Sequence, residues 1–460
     1  MPPPLRRQTP SARLAPLLAA LGLTRAVSAV PSGWDAYCSA FGPLHQDVVP
    51  LTEEEQAKVS GLRQVQVALR HGNRNLYAPM QCFKDFAMNL NCSLEATEAF
   101  APLQGPSFPL SFVKASAAQE GCPAGQLLPS AVPRIRETGR LLRDTYLGAG
   151  RPLGSIAMSD PGAVHVRTTI IERTQATAFF LVDALKQTND SVIELHTHEA
   201  ASPDPWRPAP CPAAEAITAT RARQMHAELA ADPAYGAFRE RWRAALGFEF
   251  VPDWTSDVFQ WDCLLVGLCE KQALPPALSQ ELSDQGLAYS LRYFTGVYGH
   301  SQASRLLASR MLREMKDLAA TKVRFGIWAT HDNALIALLS GLDVWDGVYT
   351  AYVDMTTLEI YDLKAGGRAV RLLRRGRPLR PPGCPAETAL CPEDQFFDIF
   401  SDLGPDACEA HGAAALAADL LHWQPSPPGL AAAFGATAAG SAALGWWAAR
   451  RFGAAAGGSE

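Results

Sequence analysis

The chain reads as an α/β protein, a mostly parallel sheet flanked by helices and interrupted by a helical cap insertion. Three observations predict this. Short alternating or apolar runs with strand character recur between segments of helical spacing. A long internal block, residues 213–318, is dominated by Ala, Arg, Glu and Leu, the composition of packed helices. With 48% hydrophobic and 19% charged residues in 460, the sequence can bury a substantial core, which excludes a disordered or collagen-like chain.

The elements follow in order. Residues 62–69 (LRQVQVAL) alternate and then turn apolar, predicting a strand that empties into a loop at Arg70. Residues 129–147 place Val132, Ile135, Leu142 and Tyr146 at helical spacing. Residues 155–158 and 164–168 read as short strands, and 171–187 as a helix. A Pro-rich connection, 200–212, leads into the helical block. The β pattern returns at 323–329, a helix is expected over 333–342, and two further strands over 356–362 and 369–373. Strands alternating with helices around a helical block give a sheet plus a cap. No internal repeat is visible.

Both ends carry compartment signals. Arg6, Arg7 and Arg13 precede a short apolar run, residues 14–23, and Val27-Ser28-Ala29 offers small residues for cleavage, the layout of a secretory leader over 1–29. The main domain then spans 30–424. In the tail, 425–460, residues 430–449 carry no charge and are long enough for about 30 Å of helix. Trp446, Trp447 and the following Arg450-Arg451 suit a membrane anchor. Its Ala/Gly-rich composition fits a disordered tail equally well, so both readings stand. Sequons at Asn91 and Asn189 are candidate glycosylation sites. Ten cysteines, none within 1–29, are compatible with five bridges in an oxidising lumen. Cys384 and Cys391, in a Gly/Pro-bounded loop, are close enough in sequence to bridge. The net charge of −5 gives no bulk basic excess, so nucleic acid is not an expected partner and any anion recognition is local.

Three short segments concentrate chemistry. The first, Arg70-His71-Gly72-Asn73-Arg74, sets an imidazole after a strand between two guanidiniums, whose planar forks match phosphate oxygens. Histidine is able to attack phosphorus as a neutral nucleophile near physiological pH. The second carries Arg167 at the end of a short strand, before a helix containing Arg173. The third, Thr330-His331-Asp332-Asn333, again joins a strand to a helix start, where Asp332 alone could be a helix cap. Ligands in open parallel sheets bind at the strands' C-terminal edge, so the three segments can converge there. Other features take blander readings. His196 and His198, with Glu194 and Glu199 nearby, match no familiar metal spacing. Cys263 and Cys269 read as disulfide or core cysteines, and Trp254, Phe259 and Trp261 as packing in the cap.

Together these segments resemble the histidine acid phosphatases, the branch with the phosphoglycerate-mutase-like fold, over roughly residues 60–410. The resemblance rests on Arg70-His71-Gly72-Asn73-Arg74, on Arg167 in VRTTIIERTQATA and on His331-Asp332, with support from Gly125-Gln126-Leu127 and the Cys384…Cys391 segment. Leu76 stands where the family loop usually has proline, and Ile170 where an aspartate is often seen. The resemblance implies His71 as nucleophile, Arg70, Arg74, Arg167 and His331 as phosphate-binding groups, and Asp332 as proton donor. It also implies a Cys211–Cys408 bridge. The activity implied is hydrolysis of small phosphate monoesters through a phosphohistidine. Arginines take the charge-neutralising role otherwise given to Mg²⁺, so no metal or other cofactor is expected. Asp332 beside a bound anion is expected to have its pKa raised, which implies an acidic optimum. Alternatives are a specialised sugar-phosphate or inositol-phosphate phosphatase and, from a different class, a silent membrane glycoprotein that binds anions or a partner. The expected location is the secretory pathway: secreted, lysosome- or vacuole-like, or membrane-anchored with the domain in the lumen or outside.

Overall fold

The computed structural model describes residues 38, 48–77, 82–84, 88, 90, 124–157, 160, 162–186, 195–197, 204–206, 211–247, 254–299, 301–404 and 407–408. All belong to the first of two compact units, 1–412; none of the second, 413–460, is described. The leader 1–29, Asn91, Asn189, His198 and the candidate span 430–449 therefore lie outside the described residues. Among the described residues no helix is long and apolar enough to cross a membrane.

Among the described residues the fold is organised by an eight-stranded sheet, in the order β3-β2-β4-β1-β5-β6-β7 with β8 beside β6. Its strands are β1 (Val59–Arg70), β2 (Val164–Thr168), β3 (Leu195–His196), β4 (Phe325–Thr330), β5 (Met355–Leu363), β6 (Arg368–Arg374), β7 (Arg377–Leu379) and β8 (Cys391–Pro392). The half from β3 to β1 is parallel, and β5 to β8 extend it as an antiparallel ribbon. Residues 155–157, expected as strand, form no strand pairing among the described residues. Ile156 is buried in the core, but a turn at Asp160 follows, where Ala163 N donates to Asp160 O (3.0 Å), and strand geometry begins only at Val164.

Alternation along the strands sorts side chains to the two faces. Val65, Val67 and Leu69 of β1, Val164 and Val166 of β2, and Phe325, Ile327 and Ala329 of β4 meet two helices, α2 (Ala131–Tyr146) and α3 (Glu172–Leu185). On the opposite face Ala68 and Trp328 pack with two more, α8 (Ser301–Ala319) and α9 (Asp332–Gly341). The glutamines of LRQVQVAL have a defined place on that second face. Gln64 Nε2 donates to Val323 O (2.6 Å), Gln66 Nε2 donates to Met315 O (2.9 Å), and Trp328 Nε1 donates to Gln66 Oε1 (3.2 Å). Buried amides are thus satisfied rather than stranded.

The remaining long helices are α4 (Pro212–Ala230), α5 (Pro233–Leu246), α6 (Trp254–Cys269) and α7 (Gln280–Tyr298). They form the cap around their own apolar cluster, with Trp242 stacked on Trp261 at 5.4 Å. The helical block thus divides: α8, expected as part of the insertion, instead covers the sheet through Met311, Leu312 and Met315. Short helices α1 (Glu53–Lys58) and α10 (Glu393–Phe397) flank the sheet. The structure pairs Cys384 with Cys391, Cys211 with Cys408, Cys38 with Cys269 and Cys82 with Cys263.

Candidate active site

Register brings the sequence-distant segments together. Arg70 lies opposite Thr330 in the β1–β4 pair, and Thr168 opposite Ala329 in β2–β4, so all three chains leave the sheet at one C-terminal edge. His71 N donates to Thr330 O at 2.9 Å. The His71 and His331 rings consequently stand 5.5 Å apart, edge to face.

Gly72 makes this placement possible. A Cβ there would come within 2.7 Å of Ala131 Cβ and 2.9 Å of Ile135 Cδ1, so only glycine lets the loop lie against the start of α2. Gly72 N donates to Thr177 Oγ1 of α3 at 3.1 Å. Its carbonyl lies 2.8 Å from His71 Nδ1. A carbonyl only accepts, so Nδ1 carries the proton and Nε2 holds the lone pair. Burial, then Arg173, Arg70, His331 and Arg74, push the His71 pKa well below the usual histidine value. The imidazole is therefore neutral at mildly acidic pH, the state a nucleophile requires.

Arg70 is 1% exposed, its guanidinium 4.1 Å from the centre of the Tyr352 ring. Its Nη1 donates to Thr350 O (2.8 Å) and its Nη2 pairs with Asp332 Oδ2 (2.8 Å). Arg74 pairs with Asp262 of α6 at 2.9 Å. Burial opposes the charge on Arg74, and Asp262 outweighs it, keeping the group protonated. The loop after Arg74 is fastened to the strip before α2: Asn75 N donates to Gln126 O (2.8 Å) and Leu128 N to Asn73 O (2.9 Å).

Arg173, in the first turn of α3, reaches His331: its Nη2 lies 3.4 Å from Nδ1 of that ring. Burial first, then the neighbouring Arg74, drive its pKa down to about 10. Among the described residues Arg173 makes no ion pair, and Arg70 crowds it as well. This excess of partly buried positive charge is the electrostatic signature of an anion site.

Arg167, expected in that role, is placed elsewhere. It shares the face of His165, and its Nη2 pairs with Asp204 Oδ1 (2.8 Å) while Nε lies 3.7 Å from Glu314 Oε2 of α8. His165 stacks on His196 at 4.5 Å, so that histidine belongs to a packed ring pair. Among the described residues no group of three or more His, Cys, Asp or Glu is arranged to hold a metal.

Asp332 opens α9, and 22% of its side chain is exposed. Tyr349 OH donates to Oδ2 (2.8 Å) and Asn333 N donates to Oδ1 (2.8 Å). Burial raises its pKa, but Arg70, the Tyr349 hydroxyl, Arg74 and the Asn333 N–H outweigh burial and bring it down to about 2. The raised value expected beside an anion is thus reversed in the free protein, because Arg70 is turned onto the carboxylate. Beyond Tyr349, Phe294 of α7 packs edge-on at 5.9 Å and Tyr298 stacks on Phe294 at 5.8 Å.

The cap contributes groups that sequence reading missed. Glu270 Oε1, just past α6, accepts from Asn73 Nδ2 (2.9 Å) and Ser130 Oγ (2.8 Å). Asp262, beside Cys263, also accepts from Tyr77 N at 2.6 Å. The Cys82–Cys263 bridge covalently ties the segment following the Arg70–Arg74 loop to α6.

A family model for the histidine phosphatase superfamily (branch 2) matches residues 61–236. The human lysophosphatidic acid phosphatase type 6 is 26% identical over 405 residues, covering 80% of this chain and 90% of its own. The bovine lysosomal acid phosphatase is 25% identical over 317 residues, covering 61% and 70%. Among solved structures, a phytase of Citrobacter braakii superposes with a TM-score of 0.53 at 14% identity, over 76% of this chain and 99% of that one. A Hafnia alvei phytase bound to myo-inositol hexakis sulphate gives 0.52 at 14%, over 76% and 98%. At such identity these structures speak for the fold alone. The matching segment runs through the Arg70–Arg74 loop and Arg173, and acid phosphatases align along most of the chain, so by these comparisons the chain is similar to the histidine phosphatase superfamily, branch 2.

Proposed function

We propose that the chain hydrolyses phosphate monoesters in two steps through a phosphohistidine on His71, with Arg70, Arg74, Arg173 and His331 binding the phosphoryl group and Asp332 handling the leaving-group proton. One observation carries this reading: a buried histidine whose Nε2 holds the lone pair stands among Arg70, Arg74 and Arg173, the last without an ion pair among the described residues, beside the Asp332 carboxyl group.

Nε2 attacks phosphorus in line while the arginines neutralise charge building on the equatorial oxygens. Phosphate entering the site competes for Arg70, freeing Asp332 Oδ2 to hold a proton. The free carboxyl is ionised above about pH 2. The proton therefore arrives with the substrate, whose monoanion dominates below its second ionisation near pH 6. Monoanion plus carboxylate has the same composition as dianion plus carboxylic acid, and the bound pair passes the proton to the departing alkoxide. Asp332 then takes a proton from the water that splits the phosphohistidine.

Two expectations follow. kcat/KM should fall about tenfold per unit above pH 6, because that limb reports the free substrate. EDTA should leave activity unchanged, since guanidiniums carry the neutralisation, while vanadate and tartrate compete. The testing experiment is a panel of aryl and alkyl phosphates assayed from pH 4 to 8 with wild type and Asp332→Asn. The variant should lose most on alkyl esters. Equal losses on all esters, or activity restored to dialysed protein only by divalent metal, would remove Asp332 or the arginines from these roles.

The oxidised cysteine pairs fit a secretory or lysosomal compartment. We further propose cleavage near Val30, glycan at Asn91 or Asn189, and a domain of 30–424. Whether 430–449 anchors the chain is decided by membrane partition of the full-length protein against one ending at residue 424.

A further inference from the structure

Tyr349 lies outside the loops that the sequence motifs mark, seventeen residues past Asp332, yet its hydroxyl lands on the carboxyl oxygen that must work. Asn333 N–H occupies Oδ1 at 2.8 Å. The transferable proton therefore belongs on Oδ2, which receives both Arg70 Nη2 and the Tyr349 hydroxyl at 2.8 Å. Of the donors on Oδ2, Arg70 is the one a bound phosphate draws away; the phenol, a weak anion partner anchored by Phe294 at 5.9 Å, stays.

We infer that Tyr349 is a positioning residue for the proton donor: its hydroxyl aims Asp332 Oδ2 at the leaving oxygen and stabilises the carboxylate left behind when the proton departs. This rests on the phosphatase reading above and goes beyond it by naming the group that sets the acid's strength in the substrate complex. A hydrogen bond to the ionised form makes the acid stronger. It also lowers the pH at which the acid is lost.

Other groups bear on Asp332 from every side. They are Arg70 at the end of β1, Arg74 in the following loop, Arg173 on α3, Tyr298 on α7, and His331 beside it. The arginines and His331 join the phosphate, and the Tyr298 phenol is pushed up to about 12 by burial and the charges of Asp332 and Tyr77. Tyr298 therefore stays neutral across the working range. Tyr349 is left as the neutral donor touching Oδ2.

The test is Tyr349→Phe, which keeps the ring and its packing on Phe294 and removes the hydroxyl. The alkaline limb of kcat, which reports the complex, should move up by about one pH unit. The kcat/KM limb, set by the free ester, should stay. At pH 5, kcat on an alkyl phosphate should fall about tenfold and on p-nitrophenyl phosphate less than twofold. Phe294→Leu, which loosens the ring's anchor and spares the hydroxyl, should move the kcat limb in the same direction by a smaller amount and leave the kcat/KM limb in place. A melting curve checks that both variants fold. Equal loss on both esters with an unmoved kcat limb overturns the inference. If instead Asp332→Asn shows no leaving-group dependence, it is the underlying assignment of the acid that fails.

Discussion

Single residues decide which arginine meets phosphate. Arg167→Ala removes the partner of Asp204, both about 5% exposed, and should destabilise the fold while sparing phosphate recognition. Arg173→Ala should lower kcat/KM by about 10²–10³-fold with little change in melting temperature. Inhibition constants for inorganic phosphate, read beside melting curves, separate the two. That Arg70, His71, Arg74, His331 and Asp332 lie at one sheet edge was legible because their segments follow directly on β1 and β4. The sequence reading chose Arg167 as the phosphate-binding arginine over Arg173, although a signal against that choice existed. Val164 and Val166 are apolar at alternate positions, so Arg167 shares the other face with His165. Asp262, Glu270 and Tyr349 were invisible because helix or loop positions far along the chain acquire meaning only when the cap is folded. The depressed pKa of Asp332 was hidden for a related reason: it depends on where Arg70 rests when no anion is bound.

Elements hold these residues in place, and α1 offers a clean test. Glu55 closes a capping box with Thr52, and its Oε1 also accepts from Ala389 N (2.7 Å) and Thr388 Oγ1 (2.9 Å). Burial raises its pKa, but these donors outweigh burial and bring it from 4.5 down to about 2. A folded pKa below the unfolded one means the unfolded chain binds the proton more readily as pH falls. The stabilisation is complete above about pH 4.5 and is lost as pH drops towards 2. Glu55→Gln should therefore lower the melting temperature at pH 6 and flatten its decline between pH 4.5 and 2. An unchanged decline would assign the acid sensitivity elsewhere. Sequence patterning located the main strands and helices of the sheet because alternation and helical spacing are local properties. It did not separate α8 from the cap, since a helix covering a sheet and a helix in a bundle carry the same amphipathic pattern. The antiparallel pairing of β5 with β1 and of β6 with β5 is likewise a matter of connection, which periodicity does not encode.

At the scale of the molecule, disulfides join distant stretches of chain around the site. Cys211–Cys408 spans 197 residues and Cys82–Cys263 spans 181. Each closure of this length is worth about 5 kcal/mol through the unfolded ensemble. Reduction should lower the melting temperature well before it unfolds the chain. The paired change Cys82→Ser, Cys263→Ser should also lower kcat/KM, because Asp262 and the Arg74 loop lose their covalent tie. Preserved kinetics in a folded double variant would show that hydrogen bonds alone hold that loop. The sequence signalled an oxidising compartment through its cysteine count. Spacing alone pointed to Cys384–Cys391, whereas the partners of Cys38 and Cys82 follow from how the cap seats on the loop.

The most direct measurement is rapid alkaline-quench trapping of the enzyme during turnover of a ³²P-labelled monoester at pH 5, followed by peptide mapping under non-acidic conditions. Stoichiometric, acid-labile and base-stable label on the peptide containing His71, absent in His71→Ala, is the predicted result. Label on another residue, or full turnover by the His71→Ala variant, would contradict the phosphohistidine mechanism.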